Sequence, residues 1–466
     1  MLIVSSEEER LKRTALWVCA AGSFLVPFMS SSVMVALPAI GREFQASAII
    51  LSWVTTAFIL ASAILMLPVG RLADIYGRKL LFMIGLAVYT FASGLAAVSH
   101  SATQLIAARV LQGIGGAMTA GANVAILTAI FPPGDRGRVL GINVAAVYVG
   151  ISVGPFLGGV LTQYVGWRSL FLINLPLGLV LLWLLAYRLP GEWAGARGEK
   201  FDLTGSVIFG AGMLALMFGF SRIQTLYGAA LAVAGAAGLA GFLWWEAKAA
   251  QPMLDVALLR DNRVFLLSGL AALINYCATA GSGFLLSLYL QYVKGLAPRE
   301  AGLVLLVQPV FQTFVAPFAG RMSDKIEPRI VASLGMALTT AGLAFLIGIS
   351  PDTPLAAIIA CLVLLGAGFG AFSSPNTNAI MSSVDKSRYG VASGTVGTMR
   401  VSGQVFSMGI VTVLLAVHLG GAAITPASVP EFITTARYSY AIFAVLCFVG
   451  VFASLARGRV RPESRS

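Results

Sequence analysis

The chain has 466 residues, of which 58% are apolar and only 11% charged, with a formal net charge of +12. Soluble domains usually carry about 25% charged residues, so a soluble protein of this make-up would expose apolar patches and aggregate. That excludes most soluble enzymes and nucleic-acid binders, despite the positive charge, and places the chain in a bilayer.

The N-terminal stretch MLIVSSEEERLKR is polar. The apolar run after it is about 24 residues, too long for a signal-peptide core, and reads as a retained first span. A membrane-crossing helix needs about 20 mostly apolar residues. Such runs lie at 14–38, 49–69, 80–98, 104–130, 138–164 and 168–188, then at 203–221 and 227–246, which are shorter. Six more follow at 263–292, 300–319, 329–350, 354–378, 389–418 and 437–456. The pattern predicts an all-α integral membrane protein with fourteen transmembrane helices. Period-2 alternation is absent, which argues against a β-barrel.

An even number of spans puts both chain ends on one side. That side then collects 23 of the 31 Lys and Arg residues, the opposite loops collect 6, and Arg109 and Arg400 fall inside spans. By the positive-inside rule both termini are expected in the cytoplasm, with the chain in a cell (inner) membrane. If only one of the two short spans crossed, every later loop would change sides and the asymmetry would collapse. Twelve spans, with neither crossing, would preserve it as fourteen does.

After the second span stands GRLADIYGRKLL, from Gly70, and after the tenth stands GRMSDKIEPRIV, from Gly320, 250 residues and eight spans later. A duplicated six-helix unit would repeat after six spans, so two helices, 203–246, read as an insert between halves. Parallel repeats of this kind are a transporter architecture. Within the motif Gly70 and Gly77 would permit a tight turn, and Asp74 could cap a helix or pair with a base. Arg78 and Lys79 would face headgroups or lock a neighbouring carboxylate. Gly320, Arg321 and Asp324 are the second copy. An ordinary charged turn is the plain alternative, and the repeat weighs against it.

In the fourth span, LIAARVLQGIGGAM puts Arg109 and Gln112 on one face, with Gly113, Gly116 and Ala117 allowing close helix contact. An intramembrane arginine is costly and suggests function. Snorkelling is the structural alternative, since Arg109 is only about 7.5 Å from the outer helix end at 1.5 Å per residue. In the fifth span, Gly150, Gly154 and Gly158 recur every fourth residue, joined by Pro155 and Gly159. They make a smooth face with an expected bend. The GAGFG run at 366–370 has no strand before it and no Lys-Ser/Thr after it, so it is not a nucleotide loop. Cys19, Cys277, Cys361 and Cys447 lie far apart, with no CxxC pair, and the only histidines are His100 and His418. No disulfide framework, metal site or cofactor is expected.

GRLADIYGRK, LIAARVLQGIGGA and VGISVGPFLGG resemble signature motifs of the major facilitator superfamily. VALPAI (35–40), WRSLFLINLPLG (167–178), EAKAAQPMLDVALLRDNRVF (246–265), YLQYVKGLAPREAG (289–302) and YGVASGTVGTMRVSGQ (389–404) are similar to its fourteen-helix drug:proton antiporter branch. The resemblance covers nearly the whole chain. It implies two six-helix bundles, 14–188 and 263–456, joined by a linker at 189–262 that carries the two inserted helices. The terminal segments 1–13 and 457–466 would be cytoplasmic. It implies alternating access, with Asp74, Arg78 and Asp324 latching the cytoplasmic face, Arg109 near the cavity, and Gly154-Pro155 as an antiporter-type hinge.

The sequence departs from that branch at the first helix. The branch reads Leu-Asp-x-Thr-x-Val-Asn before Val-Ala-Leu-Pro; here Met29 stands at the acid and Met34 at the Asn. Met cannot titrate, and no Asp or Glu of the nineteen falls near the middle of a predicted span. A proton carrier usually needs an ionisable group inside the membrane. Dependence on a proton gradient is therefore expected to be weak or absent, with protons kept as a candidate partner through Asp74 or His418. Arg400 lies about 16 Å into its span by helical rise, too deep to snorkel easily. Either an inter-helix clamp or an anionic substrate group would satisfy it.

Asn275, Thr279 and Ser282 share a face of the ninth span, and Gln308 and Gln312 share one of the tenth. Met29, Trp53, Thr56, Phe58, Gln112, Asn143, Tyr148, Tyr276 and Phe311 could add aromatic and amide surface to a cavity for amphipathic molecules. For any single one of them helix packing is the better explanation, and the cavity reading rests on the set. The sequence thus predicts a non-enzymatic, monomeric exporter of amphipathic organic compounds with a small-molecule substrate and no nucleic-acid partner. The alternative is an organic-anion or metabolite carrier that uses Arg109 and Arg400.

Overall fold

The computed structural model describes residues 2–132, 135–195, 198–199, 201–249, 252–384 and 389–458. Residues 385–388, which hold Lys386 and Arg388 of the terminal-side bases, and the tail from 459 lie outside the described residues. Among the described residues, fourteen helical segments are long and apolar enough to cross a membrane, matching the predicted number. The chain is a multi-pass membrane protein.

The first bundle comprises α1 (Leu2–Phe44), α2 (Ala48–Tyr76), α3 (Arg78–Ala97), α4 (Ala102–Ile130), α5 (Arg136–Tyr164) and a sixth crossing made of α6 (Arg168–Leu172) and α7 (Asn174–Arg188). The inserted pair is α8 (Leu203–Ser221) and α9 (Leu226–Glu246), followed by the short α10 (Val256–Asp261). The second bundle holds α11 (Arg263–Leu288), α12 (Pro298–Lys325), α13 (Pro328–Ile347), α14 (Leu355–Ser382), α15 (Tyr389–Leu419) and α16 (Val429–Ala456). A π-helical turn, Tyr289–Val293, extends α11. Hydropathy starts these helices and polar caps fix their ends. The side chains of Ser47, Ser101 and Asn262 accept the backbone N–H three residues on, those of Ile50, Gln104 and Phe265.

Several helices run past their apolar stretch. α2 continues to Tyr76 and α12 to Lys325, so both Gly-Arg-X-X-Asp copies are final helical turns rather than loops. Nothing in either pentapeptide forbids a helix. Gly70 makes no turn, contrary to expectation; Gly77 alone does, with φ 128°, a value open in practice only to glycine. In the second copy Pro328 at the first position of α13 starts the next helix instead.

Helix pairing repeats between bundles. The close pairs α1–α5, α2–α4, α3–α4 and α3–α7 recur as α11–α15, α12–α14, α13–α14 and α13–α16. The bundles meet along α5–α12 and the matching α2–α15. Small residues make these contacts. A side chain on Gly154 would overlap Ser31 of α1, and one on Gly302 would overlap the Pro155 carbonyl across the bundle boundary. The inserted pair packs on itself and docks on α2 and α15, outside the pairwise symmetry.

With fourteen crossings both chain ends lie at one face, the terminal face; the other is the distal face. In their distal halves the bundles are stitched together. Ser287 and Gln291 donate to the Met34 and Val35 carbonyls at 2.6 and 2.9 Å, Ala48 N–H to the Ala422 carbonyl at 3.2 Å, and Ser52 bonds Thr412 at 3.0 Å. Nearer mid-depth the pairs Tyr148–Ser373 and Ser152–Thr313 are long, at 3.4 Å each. Beyond them, Gly70, Gly141 and Gly394 on the boundary helices α2, α5 and α15 face open space. The hydrogen bonds across the boundary thus gather in the distal halves, and toward the terminal face these three glycines have nothing packed on them.

Candidate functional site

The two intramembrane arginines sit in different surroundings. Arg109 is 1% exposed. Its Nε donates to the Val54 carbonyl at 3.1 Å and its Nη1 to Gln112 Oε1 at 2.8 Å, while Gln112 donates on to Ser93 at 2.7 Å. Phe58 lies beneath the guanidinium, 4.3 Å away. This ties α2, α3 and α4 together inside the first bundle, with the charge spread over neutral acceptors and a ring face.

Arg400 is only half-buried, on α15 at the bundle boundary. Its guanidinium stands 5.0 Å from the Tyr276 ring, and its Nε is buried with no hydrogen-bond partner. The close contact of Gly403 with the Leu273 carbonyl seats α15 on α11 and sets Tyr276 beside Arg400. Tyr276 packs edge-on against Phe369 at 5.1 Å, and its hydroxyl lies among Arg400, Ser373 and Tyr148. The group thus draws Tyr148 from the first bundle and the rest from the second.

Of the residues singled out in the sequence, Tyr148, Tyr276 and Arg400 come together here. Ser373 and Phe369 belong with them and were missed, because nothing in the apolar run of α14 marks which face turns to the boundary. Gln308 is half-buried on α12, Gln312 is buried, and Phe311 is 39% exposed. Thr279 bonds its own helix at the Asn275 carbonyl, and Asn275 is fully buried with both amide atoms unpartnered. Asn143 accepts from Ser23 at 2.9 Å, and Asn123 donates to Ser23, a polar chain inside the first bundle. Gln112 and Phe58 serve Arg109; Thr56 is buried beside them on α2 with its hydroxyl unpartnered. Trp53 turns to the inserted pair, donating to Ser221 at 2.9 Å and packing on Phe218. Met29 is fully buried, and its sulfur accepts from the Asn174 amide at 3.1 Å. A polar donor thus points at the position where the sequence lacks its expected acid.

At the terminal face, Arg78 grips Asp74 Oδ1 with Nε and Nη2 at 3.0 and 2.8 Å and gives Nη1 to the Ala125 carbonyl of α4. The linker carboxylates, unforeseen, join this corner. Glu192 caps α3 through the N–H groups of Lys79 and Leu80, where the helix dipole favours a negative charge, and Glu199 pairs with Arg71.

The second copy is wired differently. Pro328 occupies the position of Arg78, so no basic residue follows Asp324 at that spacing. Asn378 of α14 instead donates to Ser323 and Asp324 at 3.0 and 3.3 Å. Gly320 and Arg321 lie one turn earlier on α12. A different arginine, Arg457 just past α16, is buried alongside, donating to Asn376 Oδ1 at 2.7 Å and Ser268 Oγ at 3.1 Å. Burial pushes its pKa down to about 10, and the nearby Glu327 carboxylate opposes that fall. It remains charged at neutral pH. No cluster of metal-ligating side chains occurs among the described residues.

Residues 19–247 and 268–466 match the Major Facilitator Superfamily. The chain is 34% identical over 465 residues to the cephamycin export protein CmcT of Amycolatopsis lactamdurans, covering 95% of this chain and 93% of that one. It is 31% identical over 422 residues to the multidrug resistance protein Stp of Mycobacterium tuberculosis (strain CDC 1551 / Oshkosh), covering 88% and 77%. It is 28% identical over 447 residues to the riboflavin transporter RibZ of Clostridioides difficile (strain 630), covering 95% and 97%. Among solved structures, a bacterial homolog of the human lysosomal transporter Spinster, in an inward-facing and unoccupied conformation, superposes with TM-score 0.70 at 16% identity, covering 96% and 97%.

Proposed function

The chain belongs to the Major Facilitator Superfamily, and from that premise we propose that it exports amphipathic organic compounds across a cell membrane by alternating access. The observation that carries this reading is the uneven boundary between the bundles, hydrogen-bonded in the distal halves and unpacked at Gly70, Gly141 and Gly394, which we read as a cleft opening toward the terminal face past Tyr148, Tyr276 and Arg400. The excess of Lys and Arg on the terminal side supports a cytoplasmic orientation for it, so this conformation would load from the cytoplasm. The similarity to a cephamycin export protein and a multidrug resistance protein supports export as the direction and organic molecules as the cargo. The riboflavin transporter is a likeness of the same order and leaves the compound class broad.

Energy coupling follows from the charges. Met29 carries no proton, and the described acids of the crossing helices sit near helix ends, as Asp74, Glu246 and Glu300 do. Export driven mainly by the compound's own gradient is the reading these residues support. The test is expression in an efflux-deficient host with cationic, neutral and anionic toxic compounds, riboflavin analogues included. Lower accumulation of at least one class is expected; unchanged accumulation of all of them would contradict export.

A further inference from the structure

We propose that Arg400 is the binding group for an anionic substituent of the cargo, so that the cleft selects amphipathic organic anions, aromatic carboxylates and phenolates, over cations. This rests on the transporter reading above and deepens it.

Arg400 lies eleven residues into α15, about 16 Å along the helix, and a full charge there needs a counter-charge or several acceptors. What stands against it is Tyr276, whose hydroxyl in turn lies near Ser373 and Tyr148, with Nε of Arg400 left unpartnered. A ring face and hydroxyls stabilise a guanidinium only in part. No carboxylate stands at this depth among the described residues. The residue is nonetheless only partly buried, and an occupant of the boundary between the bundles would meet it.

Arg109 is held differently. There two donors meet protein acceptors and the side chain is sealed. Arg457 is sealed as well, although its Nε and Nη2 lack partners, so what sets Arg400 apart is that it is only partly buried, at the boundary between the bundles. The planar guanidinium fork suits a carboxylate, and the Tyr276 and Phe369 rings beside it suit an aromatic body. Tyr148 comes from the first bundle and Arg400 from the second, so an occupant would touch both sides of the boundary that alternating access must move.

The test uses purified full-length protein in lipid nanodiscs. Binding of 2-naphthoate and anthraquinone-2-carboxylate is measured against the carboxamide and trimethylammonium analogue of each, with acetate and chloride as inorganic-like controls. The carboxylates are expected to bind at least about tenfold tighter than their carboxamides, the size of one charge-assisted hydrogen bond. The cationic analogues are expected to bind weakest. Arg400→Gln should erase the carboxylate preference and Arg400→Lys should keep part of it, with an unshifted thermal unfolding transition certifying that each variant is folded. Equal binding of carboxylate and carboxamide, or a preference that survives Arg400→Gln, overturns the proposal. So does displacement by chloride as readily as by naphthoate, which would make this a plain anion site. Export of neutral or cationic compounds alongside such a result would leave the transporter reading intact, whereas unchanged accumulation in the efflux-deficient host would sink that reading separately.

Discussion

Arg109 and Arg400 are chemically identical and both lie within crossing helices, yet one is packed among Val54, Gln112 and Phe58 and the other borders a cleft with an unpartnered Nε. The first bundle has spent its arginine on holding α2, α3 and α4 together. The second keeps its arginine at the boundary with its neighbour. Bundles with the same helix pairing thus differ at the level of single side chains. The lesson is that an intramembrane charge cannot be read from depth alone; what its donors meet decides the role.

The largest effect should separate the two arginines on stability. Arg109→Ala strands the Val54 carbonyl and Gln112 in an apolar core and leaves a cavity, at a cost of about 3 kcal/mol. Arg400→Ala removes a group with few protein bonds, with an expected change of at most about 1 kcal/mol. Thermal unfolding of the two detergent-purified variants checks this; equal losses would erase the distinction between them.

A smaller effect is expected at the terminal face. Asp74→Asn loosens the grip of Arg78 on the end of α2. The pair is partly exposed, so about 0.5–1 kcal/mol is at stake, a roughly two- to fivefold shift between cleft-open and cleft-closed forms. Spin labels placed on α2 and α15 at that face would report it as a change in the distance distribution. No shift would mean that Glu192 and Glu199 hold the corner without Asp74. The smallest expected effect is that of collapsing a proton gradient in proteoliposomes, less than about twofold on transport of an uncharged cargo. A larger loss would assign coupling to a peripheral acid or to His418.

Much of the fold was legible before any coordinate. Apolar runs of span length gave fourteen crossings, and the two Gly-Arg-X-X-Asp copies gave a duplicated unit with an insert, because hydropathy and repeats are written locally. The site was legible only in part. Tyr148, Tyr276 and Arg400 stood out as polar or aromatic groups at mid-depth, but Trp53 and Phe58 looked equally suitable and face other helices. Which way a side chain turns depends on neighbours far away in sequence. Arg457 shows this most clearly: it reads as one more topology-setting base in a tail, yet it is buried against Asn376 and Ser268, 81 and 189 residues away. Met29 could be seen to lack the acid; the Asn174 amide aimed at its sulfur could not.

The central claim, that Arg400 lines the pathway and Arg109 does not, can be tested without knowing the cargo. The four native cysteines are all free and buried. With them replaced, Arg400→Cys and Arg109→Cys would be exposed in inverted and right-side-out vesicles to a small, charged, membrane-impermeant thiol reagent. Modification of Arg400→Cys from the terminal face, slowed by 2-naphthoate, with Arg109→Cys left unmodified, is the predicted result. An unreactive position 400, or equal reactivity at both positions, would contradict it.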